Sequence, residues 1–217
     1  TGVKSIRWPS RFLPVPGEAT ATGENVHRLT EDTRIVFNAN GTYTWQPVDG
    51  EVPPQVTAIS PQTSYLVATR HVKLFVKGTV NGKVLVYSPE RIVIEGNLLY
   101  AQDPETIPGS DDYLGLVSDK NVEIARPKVT GPGDLYVNAA IYAKRRFAVR
   151  EFRKRGDAVL HVYGSVSSGS MSATEPRYST RIRFDKRFEE MRPPGFPMTD
   201  RYELESWTTA WSVKPEE

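Results

Sequence analysis

The sequence predicts an all-β protein and, within that class, a β-solenoid similar to a right-handed β-helix, with an N-terminal hairpin segment and a C-terminal cap of strands and loop. The first observation is a seven-residue pattern, apolar–any–β-branched–any–small–any–apolar, whose copies begin at Leu74, Ile92, Leu135 and Leu160. Its strict alternation is typical of a strand with one buried face. The second is spacing, because successive copies begin 18, 43 and 25 residues apart. Such intervals fit stacked coils of about 20 residues each, if the longest interval contains two coils.

The third observation is that the fifth position of every copy is small. It is occupied by Gly78, Gly96, Ala139 and Gly164. In a coil, these residues are expected to point inward at tight sites where the chain passes close to its own interior. A sandwich of hairpins would also contain short strands. It would show turn dipeptides about every 8–12 residues, however, and it would not explain a small residue at one fixed position.

Residues 1–64 are predicted to form an extended segment followed by a β-hairpin. The first 30 residues are rich in proline and threonine and show no clear periodicity. Arg34–Asn38 and Thr42–Trp45 are predicted strands, and Asn40-Gly41 between them is the dipeptide that supplies positive φ in a tight hairpin turn. The loop from Pro47 to Pro61 contains prolines that cannot lie inside a sheet.

Residues 65–177 are predicted to form the coils. Shorter alternating stretches separate the full copies of the pattern, so that each coil has a long and a short side. One segment, 143–155, is open to two interpretations. It contains strong helix formers followed by Gly156, but it also alternates with Phe147 and Val149 inward, and we favour the strand.

Residues 178–217 are predicted to be capping strands. Tyr178–Phe184 alternates cleanly, Arg192–Pro197 is a rigid proline-rich turn, and Tyr202–Trp207 is a further strand with its apolar residues on one face. These strands are expected to cover the open end of the coil, which would otherwise be a template for pairing with other chains.

Composition excludes several classes of site and gives little indication of a partner. The chain has 217 residues, a net charge of +2 and no cysteine, so disulfides, thiolate metal sites and a cysteine nucleophile are excluded. No apolar run approaches the roughly 18–20 residues that cross a bilayer. Residues 1–10 do not resemble a signal peptide. If the natural protein is exported or anchored, we expect the signal or anchor upstream of residue 1.

The order of the motifs resembles that of a known group of proteins. The Val-Lys-Gly-Thr-Val-Asn-Gly-Lys-Val stretch at 76–84, Tyr113–Val117 and Pro193–Pro197 are similar to elements of an uncharacterised bacterial family of exported β-solenoid domains. Members often follow a pilin-like N-terminal segment and accompany type IV pilus, pseudopilin or competence genes. The resemblance covers about residues 65–207. It implies an exported protein, at the cell surface or in the periplasm, and other pilus or surface-assembly subunits as partners.

Two groups of charged residues are candidates for a catalytic or binding site. The first is the acidic loop 103–112, with Asp103, Glu105, Asp111 and Asp112. Paired carboxylates there could act as acid and base of a glycan-active enzyme or bind Ca²⁺. The simpler interpretation is a solvated loop whose aspartates favour turns, and we expect no catalytic residues, metal or cofactor.

The second group is basic and has aromatic residues interleaved. It could follow a phosphate backbone and stack bases, as a nucleic-acid or anion-binding edge would, although most such runs are solvated faces. Its residues are Lys144, Arg145, Arg146, Arg150, Arg153, Lys154 and Arg155.

The sequence therefore favours a non-enzymatic structural or adhesive module at the cell surface or on a type IV pilus-like assembly. The alternatives are a DNA-capturing, minor-pilin-like domain that uses the basic edge and a glycan-active β-helix enzyme. DNA and surface glycan are accordingly the expected ligands.

Overall fold

A computed structural model describes residues 25–190 and 196–197, and these residues form an all-β fold. The all-β prediction is confirmed. Two four-residue helices, α1 (Pro127–Thr130) and α2 (Arg187–Glu190), accompany the strands. The described strands are β1 (Val26–Leu29), β2 (Thr33–Asn38), β3 (Thr42–Pro47), β4 (Gln55–Ala58), β5 (Ser64–Ala68), β6 (Lys73–Val80), β7 (Lys83–Ser88), β8 (Arg91–Tyr100), β9 (Tyr113–Ser118), β10 (Asn121–Ile124), β11 (Leu135–Ala143), β12 (Arg146–Val149), β13 (Ala158–Ser168) and β14 (Tyr178–Phe184).

These strands belong to one curled, open sheet. Ten of them follow the order β1-β5-β7-β9-β11-β8-β6-β2-β3-β4, while β10 pairs with β8 and β12, and β13 pairs with β11 and β14. Among the described pairs, only β2–β3 and β3–β4 are antiparallel. Parallel pairs of this kind join strands that are separated by a whole crossover in sequence.

The register places equivalent positions of successive strands side by side. Arg91 of β8 pairs with Lys73 of β6 and with Asn121 of β10, and Asn121 in turn pairs with Arg146 of β12. Strand β11 changes partners along its length, because Val137 pairs with β8 while Ala140–Ala143 pairs with β9. The first part of β11 therefore lies in a row of parallel strands with β8, and its last part lies in a second row with β9.

The main core is one large cluster of buried side chains along this sheet. Alternate residues of successive strands fill it, for example Ile92 and Ile94 of β8 and Val122 and Ile124 of β10, all fully buried. Phe147 of β12 is 1% exposed and belongs to the same cluster. The strand interpretation of segment 143–155 is thus confirmed over Arg146–Val149. Burying each such side chain contributes about 1.5–3 kcal/mol.

A smaller cluster covers the other side of the β5, β7, β9 and β11 row. It consists of Tyr65, Val67, Leu85, Val117 and Tyr142, with Val26, Tyr87 and Phe196 packed against it. Strands in this row are therefore buried on both faces, as parallel strands usually are. Phe196 belongs to the predicted proline-rich turn, of which the structure describes only residues 196 and 197.

The predicted N-terminal hairpin is confirmed. Strands β2 and β3 pair antiparallel, with Asn38 opposite Thr42. Gly41 in the turn has φ +79°, a conformation that glycine adopts without steric cost. Strand β2 also pairs with β6, and β13 pairs with β14. One sheet therefore crosses both proposed boundaries, at 64/65 and 177/178, and the division into three units stays a prediction.

The small positions of the repeat are not equivalent. Ala139 is fully buried in the core. A Cβ atom on Gly78 would lie 2.1 Å from the carbonyl oxygen of Phe37, and one on Gly164 would lie 2.0 Å from that of Ala139. At these two sites, the backbone of the neighbouring strand, rather than interior side chains, requires glycine.

Gly96 is different, because it lies in a bulge of β8. The pairing shifts between Val76↔Ile94 and Gly78↔Leu98, so three residues of β8 face Lys77 alone. A Cβ on Gly96 would lie 3.6 Å from the Lys77 side chain, which is ordinary contact. The space around Gly96 therefore does not require a small residue, contrary to the expectation of a tight inward site.

The C-terminal prediction is described only in part. Tyr178–Phe184 is strand β14, as expected, and its residues Ile182 and Phe184 are 52% and 49% exposed. The predicted strand at 202–207 and the extended segment at 1–24 lie outside the described residues. Within the described ranges, no helix has the length and apolar character needed to cross a membrane.

Candidate ligand-binding site

Strand β12 divides the seven basic residues into two groups. Lys144, Arg145 and Arg146 lie where β11 turns into β12. Their backbone is held between neighbouring turns, since the Lys144 N–H donates to the Ser118 carbonyl at 2.9 Å and the Ser170 hydroxyl donates to the Arg145 carbonyl at 3.1 Å. Arg145 and Arg146 are exposed, and in the described part of the chain none of the three forms an ion pair.

The second group follows β12 and is partly neutralised. Arg150 lies 3.7 Å from the Glu123 carboxylate, and Lys154 lies 2.6 Å from that of Glu151. The Arg153 guanidinium lies 5.4 Å from the ring centroid of Phe152. Arg155 is exposed and has no carboxylate partner within residues 25–190. The basic run is therefore divided into a group without ion pairs among the described residues and a group in which Arg150 and Lys154 are paired with carboxylates.

The acidic loop is held together by its own carboxylates. Asp112 is 1% exposed and accepts hydrogen bonds from the N–H groups of Gly82 and Gln102 at 2.6 and 2.7 Å. Asp103 accepts the N–H of Glu105 at 3.0 Å, which is a turn-forming contact. Asp111 pairs with Lys83 at 3.0 Å on the surface. The turn contact of Asp103 matches the simpler interpretation of the loop, whereas the burial of Asp112 differs from the solvated loop that was expected.

An arginine from the far end of the described chain also ties this loop down. The Arg187 guanidinium donates to the carbonyls of Ser110 and Asp112, both at 3.0 Å. It also contacts the fully buried Asp185 at 2.6 Å. Among the described residues, no group of three or more acidic, histidine or cysteine side chains could hold a metal ion. The loop's geometry thus fits a structural role.

A cavity of about 640 Å³ opens between the β10–β11 connection and the start of β13. Three segments line it: 127–133, which contains α1, the loop 154–158, and Arg177-Tyr178. Its lining residues include the cations Lys128, Lys154, Arg155 and Arg177, and one acidic residue, Asp157. Its volume lies within the roughly 300–1,000 Å³ that is typical of small-molecule sites.

Arg177 is the buried cation of this cavity, and sequence reasoning missed it. It is 4% exposed, and its donors bind the carbonyls of Ala125 and Arg150 at 2.7 and 2.6 Å and the Thr130 hydroxyl at 2.7 Å. It also lies 4.8 Å from the ring centroid of Tyr178. All of these partners are neutral. No sequence signal identifies the residue, because its hydrogen-bond partners other than Tyr178 come from two distant segments.

A polar ladder lies beside the cavity on the outer face of β11 and β13. The rings of Tyr136 and His161 stack at 4.5 Å, and the Asp134 carboxylate lies 3.1 Å from Nε2 of His161. The N–H of Val159 and then His161 lower the pKa of Asp134, because both interactions favour the charged carboxylate. The ladder connects the two strands on the solvent side.

Comparisons of the chain with protein-family models, with curated proteins and with solved structures found no match.

Proposed function

We propose that this chain is a β-solenoid module with a structural and adhesive, non-enzymatic role, exported and displayed at the cell surface or on a type IV pilus-like assembly. The observation that carries the proposal is the parallel register, in which strands 18 to 30 residues apart lie side by side, from Lys73 through Arg91 and Asn121 to Arg146. Each pair of this kind is what one turn of a coil would produce.

The bends of the long strands support the same interpretation. Strand β11 leaves the row of β8 and enters the row of β9, and β12 then pairs with β10. The chain thus pairs in turn with β8, β9 and β10, each of which belongs to the preceding part of the sequence. A chain in which each segment pairs with the equivalent segment before it follows a coiled path. We expect this coil to be right-handed, because parallel crossovers almost always are.

A module of this kind suits display and adhesion rather than turnover. Its backbone hydrogen bonds are satisfied along the stack, which gives a rigid body whose outer faces remain free for recognition. Two almost fully buried aspartates have structural roles, since Asp112 accepts backbone hydrogen bonds and Asp185 forms an ion pair with Arg187. The association with a pilus rests on the resemblance of the repeat and of Pro193–Pro197 to the exported solenoid family.

Engineered disulfides test the coil directly, because the chain has no cysteine of its own. Asn121→Cys with Arg146→Cys places two thiols on paired positions 25 residues apart. Neighbouring strands lie about 4.8 Å apart, so the bond should form readily under mild oxidation. The control, Asn121→Cys with Ala148→Cys, moves one thiol two residues along β12. Equal crosslinking of the two variants would contradict the coil.

Surface display is tested in the source cell. Antibody against the folded module should label intact cells, and external protease should remove the label. Labelling only after lysis would contradict the proposed location. Loss of attachment to surfaces in a strain without the protein, restored by the intact gene, would support the adhesive role, whereas unchanged attachment would contradict it.

One observation favours DNA capture as a second candidate. Lys144, Arg145 and Arg146 share one corner of the sheet, and no carboxylate among the described residues neutralises them. Binding to single- and double-stranded DNA should then weaken steeply with salt. It should also fall when Arg145→Ala and Arg146→Ala are combined. Binding that is independent of salt, or unaffected by this double change, would eliminate the candidate.

A further inference from the structure

We propose that the cavity beside Arg177 binds an acidic saccharide, one whose sugar units carry a carboxylate, and that it is the recognition site of the adhesive module. This inference rests on the proposed adhesive function and names the ligand class for it. The cavity is lined by α1 with the turn after it, the loop before β13 and the start of β14. Lys128, Arg177 and Tyr178 belong to it, although the sequence indicated none of them.

The first argument is that no carboxylate among the described residues directly contacts the buried charge of Arg177. A guanidinium stays charged at any physiological pH, and burying a charge is costly unless an opposite charge compensates for it. Arg177 is 4% exposed, yet the hydrogen-bond partners of its guanidinium are carbonyl and hydroxyl groups. Within the described part of the chain, no carboxylate forms an ion pair with it. The Nη1 and Nη2 atoms of Arg177 already donate two hydrogen bonds each, so an anion in the cavity would balance its charge through space rather than replace one of these partners.

The nearby carboxylates do not balance the cations. Glu151 interacts electrostatically with Arg177, but its carboxylate is already engaged by Lys154 at 2.6 Å and by Arg126 at 3.3 Å. Asp157 also lines the cavity and is exposed. Lys128 and Arg155 add two further positive charges for which residues 25–190 supply no ion pair. The cavity therefore keeps an excess of positive charge, which attracts anionic ligands.

The second argument is the character and size of the walls. Apolar groups of Pro127, Pro132, Ala158 and Tyr178 contribute to the lining. A pyranose ring presents apolar C–H faces, and a uronate or sialic acid adds a carboxylate to that ring. About 640 Å³ accommodates a few sugar units but not a nucleic-acid duplex. Apolar walls with a cationic rim thus fit an acidic sugar better than a free inorganic anion.

The third argument is the open space beside the turn after α1. A Cβ atom placed on Gly131 or on Gly133 would meet no atom within 4 Å. Both residues have positive φ, +80° and +91° respectively, so the turn bends sharply without side chains that would fill the cavity. This open wall leaves room for a ligand to approach the backbone.

The test is calorimetric titration of the folded chain with four oligosaccharides and two ions. Trigalacturonate and sialyllactose are the acidic probes, galactotriose and lactose are their neutral counterparts, and sodium sulfate and sodium phosphate are the inorganic arms. We expect at least one acidic probe to bind, and to bind more weakly as salt rises, while the neutral probes give no heat of binding. Failure of both acidic probes, or equal binding of a neutral counterpart, would overturn the proposal. Sulfate or phosphate binding as tightly as the acidic sugars would also overturn it, because the site would then recognise an anion alone.

Substitutions assign the binding to this cavity. Lys128→Gln combined with Arg155→Gln should weaken binding by about tenfold or more, because two charge-assisted contacts are lost. The matched control is Arg70→Gln with Lys186→Gln, which removes two exposed cations that do not line the cavity. It should change affinity by less than about twofold in moderate salt. Equal loss in both variants would overturn the assignment. Arg177 itself is left intact, since it holds three segments together.

The outcome separates this inference from the proposed function. Surface labelling and attachment without any binding of an acidic sugar would refute the ligand class and leave the adhesive module standing. Acidic-sugar binding that requires Lys128 and Arg155, in a protein absent from the cell surface, would refute the display and leave the site standing.

Discussion

Replacement of Gly164 by alanine should destabilise the protein strongly, whereas the same change at Gly96 should not. Both glycines occupy the fifth position of the repeated pattern. A Cβ on residue 164 would lie 2.0 Å from the Ala139 carbonyl oxygen and 2.7 Å from its carbonyl carbon. These are backbone atoms of a paired strand, so they cannot move aside without disturbing the ladder.

The magnitude follows from two separate costs. Gly164 has φ +142°, a conformation that costs a residue with a side chain on the order of 1–3 kcal/mol. Relieving the clash adds about 1–3 kcal/mol, as overpacking usually does. A loss of about 3 kcal/mol would lower the melting temperature of a chain of this size by roughly 6–12 °C. Gly96→Ala meets only the Lys77 side chain at 3.6 Å, and we expect a change within about 1 kcal/mol.

Urea unfolding followed by far-ultraviolet circular dichroism measures both variants against the parent chain. The difference between their midpoints, at equal slope, reports the difference in the free energy of unfolding. Equal midpoints for Gly164→Ala and Gly96→Ala would refute the reasoning, because the two sites share a sequence pattern and differ only in the structure around them. Gly78→Ala should behave like Gly164→Ala, since its Cβ would lie 2.1 Å from a backbone oxygen.

Three further predictions concern polar groups. Asp185→Asn should lower the free energy of unfolding by about 3 kcal/mol, because it leaves Arg187 without the buried carboxylate that it contacts; urea unfolding measures this. Tyr113→Phe should leave stability unchanged or raise it by up to about 1 kcal/mol, because its buried hydroxyl has no hydrogen-bond partner among the described residues; thermal unfolding is the assay. A backbone N–H and His161 lower the pKa of Asp134, so its stabilising contribution is present above the ordinary aspartate pKa and is lost as pH falls through the lower folded value. The difference in the free energy of unfolding between the parent and Asp134→Asn should therefore become smaller as the pH is lowered.

Each of these predictions has a contrary outcome. An Asp185→Asn chain as stable as the parent would mean that the buried ion pair contributes nothing. A clear loss of stability in Tyr113→Phe would mean that its hydroxyl has a partner. For the acid titration, a difference between parent and Asp134→Asn that persists unchanged to the lowest pH would contradict the lowered pKa. The matched control for Asp185→Asn is Asp111→Asn, which removes the carboxylate of an exposed ion pair. It should change the free energy of unfolding by less than about 1 kcal/mol.

Periodicity in the sequence was sufficient to predict the strands, because alternation depends only on neighbouring residues. The strands at Lys73–Val80, Arg91–Tyr100 and Ala158–Ser168 each contain a predicted copy of the pattern. The hairpin was equally local, since Asn40-Gly41 determines its turn. The bulge that sets Gly96 apart was not predictable, because it arises from the pairing of β8 with β6 rather than from the order of residues in either strand.

The candidate site could be predicted only in part, for a related reason. Lys154 and Arg155 were conspicuous as part of a basic run. Arg177 was not, because it follows a proline-containing turn and its significance depends on Ala125, Thr130 and Arg150, which approach it only in the folded chain. The same applies to Arg187, whose carbonyl partners at Ser110 and Asp112 lie more than 70 residues away in sequence. Side chains that connect distant segments leave no pattern in a single sequence.

Because of the position of the cavity, some substitutions should change ligand binding without changing the stability of the fold. Its cationic rim comes from connections between strands, Lys128 after β10 and Arg155 before β13, while the core is built from the strands themselves. Removing the rim charges should therefore change ligand binding with little effect on the free energy of unfolding, because neither side chain is buried. Arg177 belongs to both systems, since it is buried and lines the cavity. Its replacement should lower stability and affinity together, which distinguishes a residue that joins the scaffold to the site from one that serves the site alone.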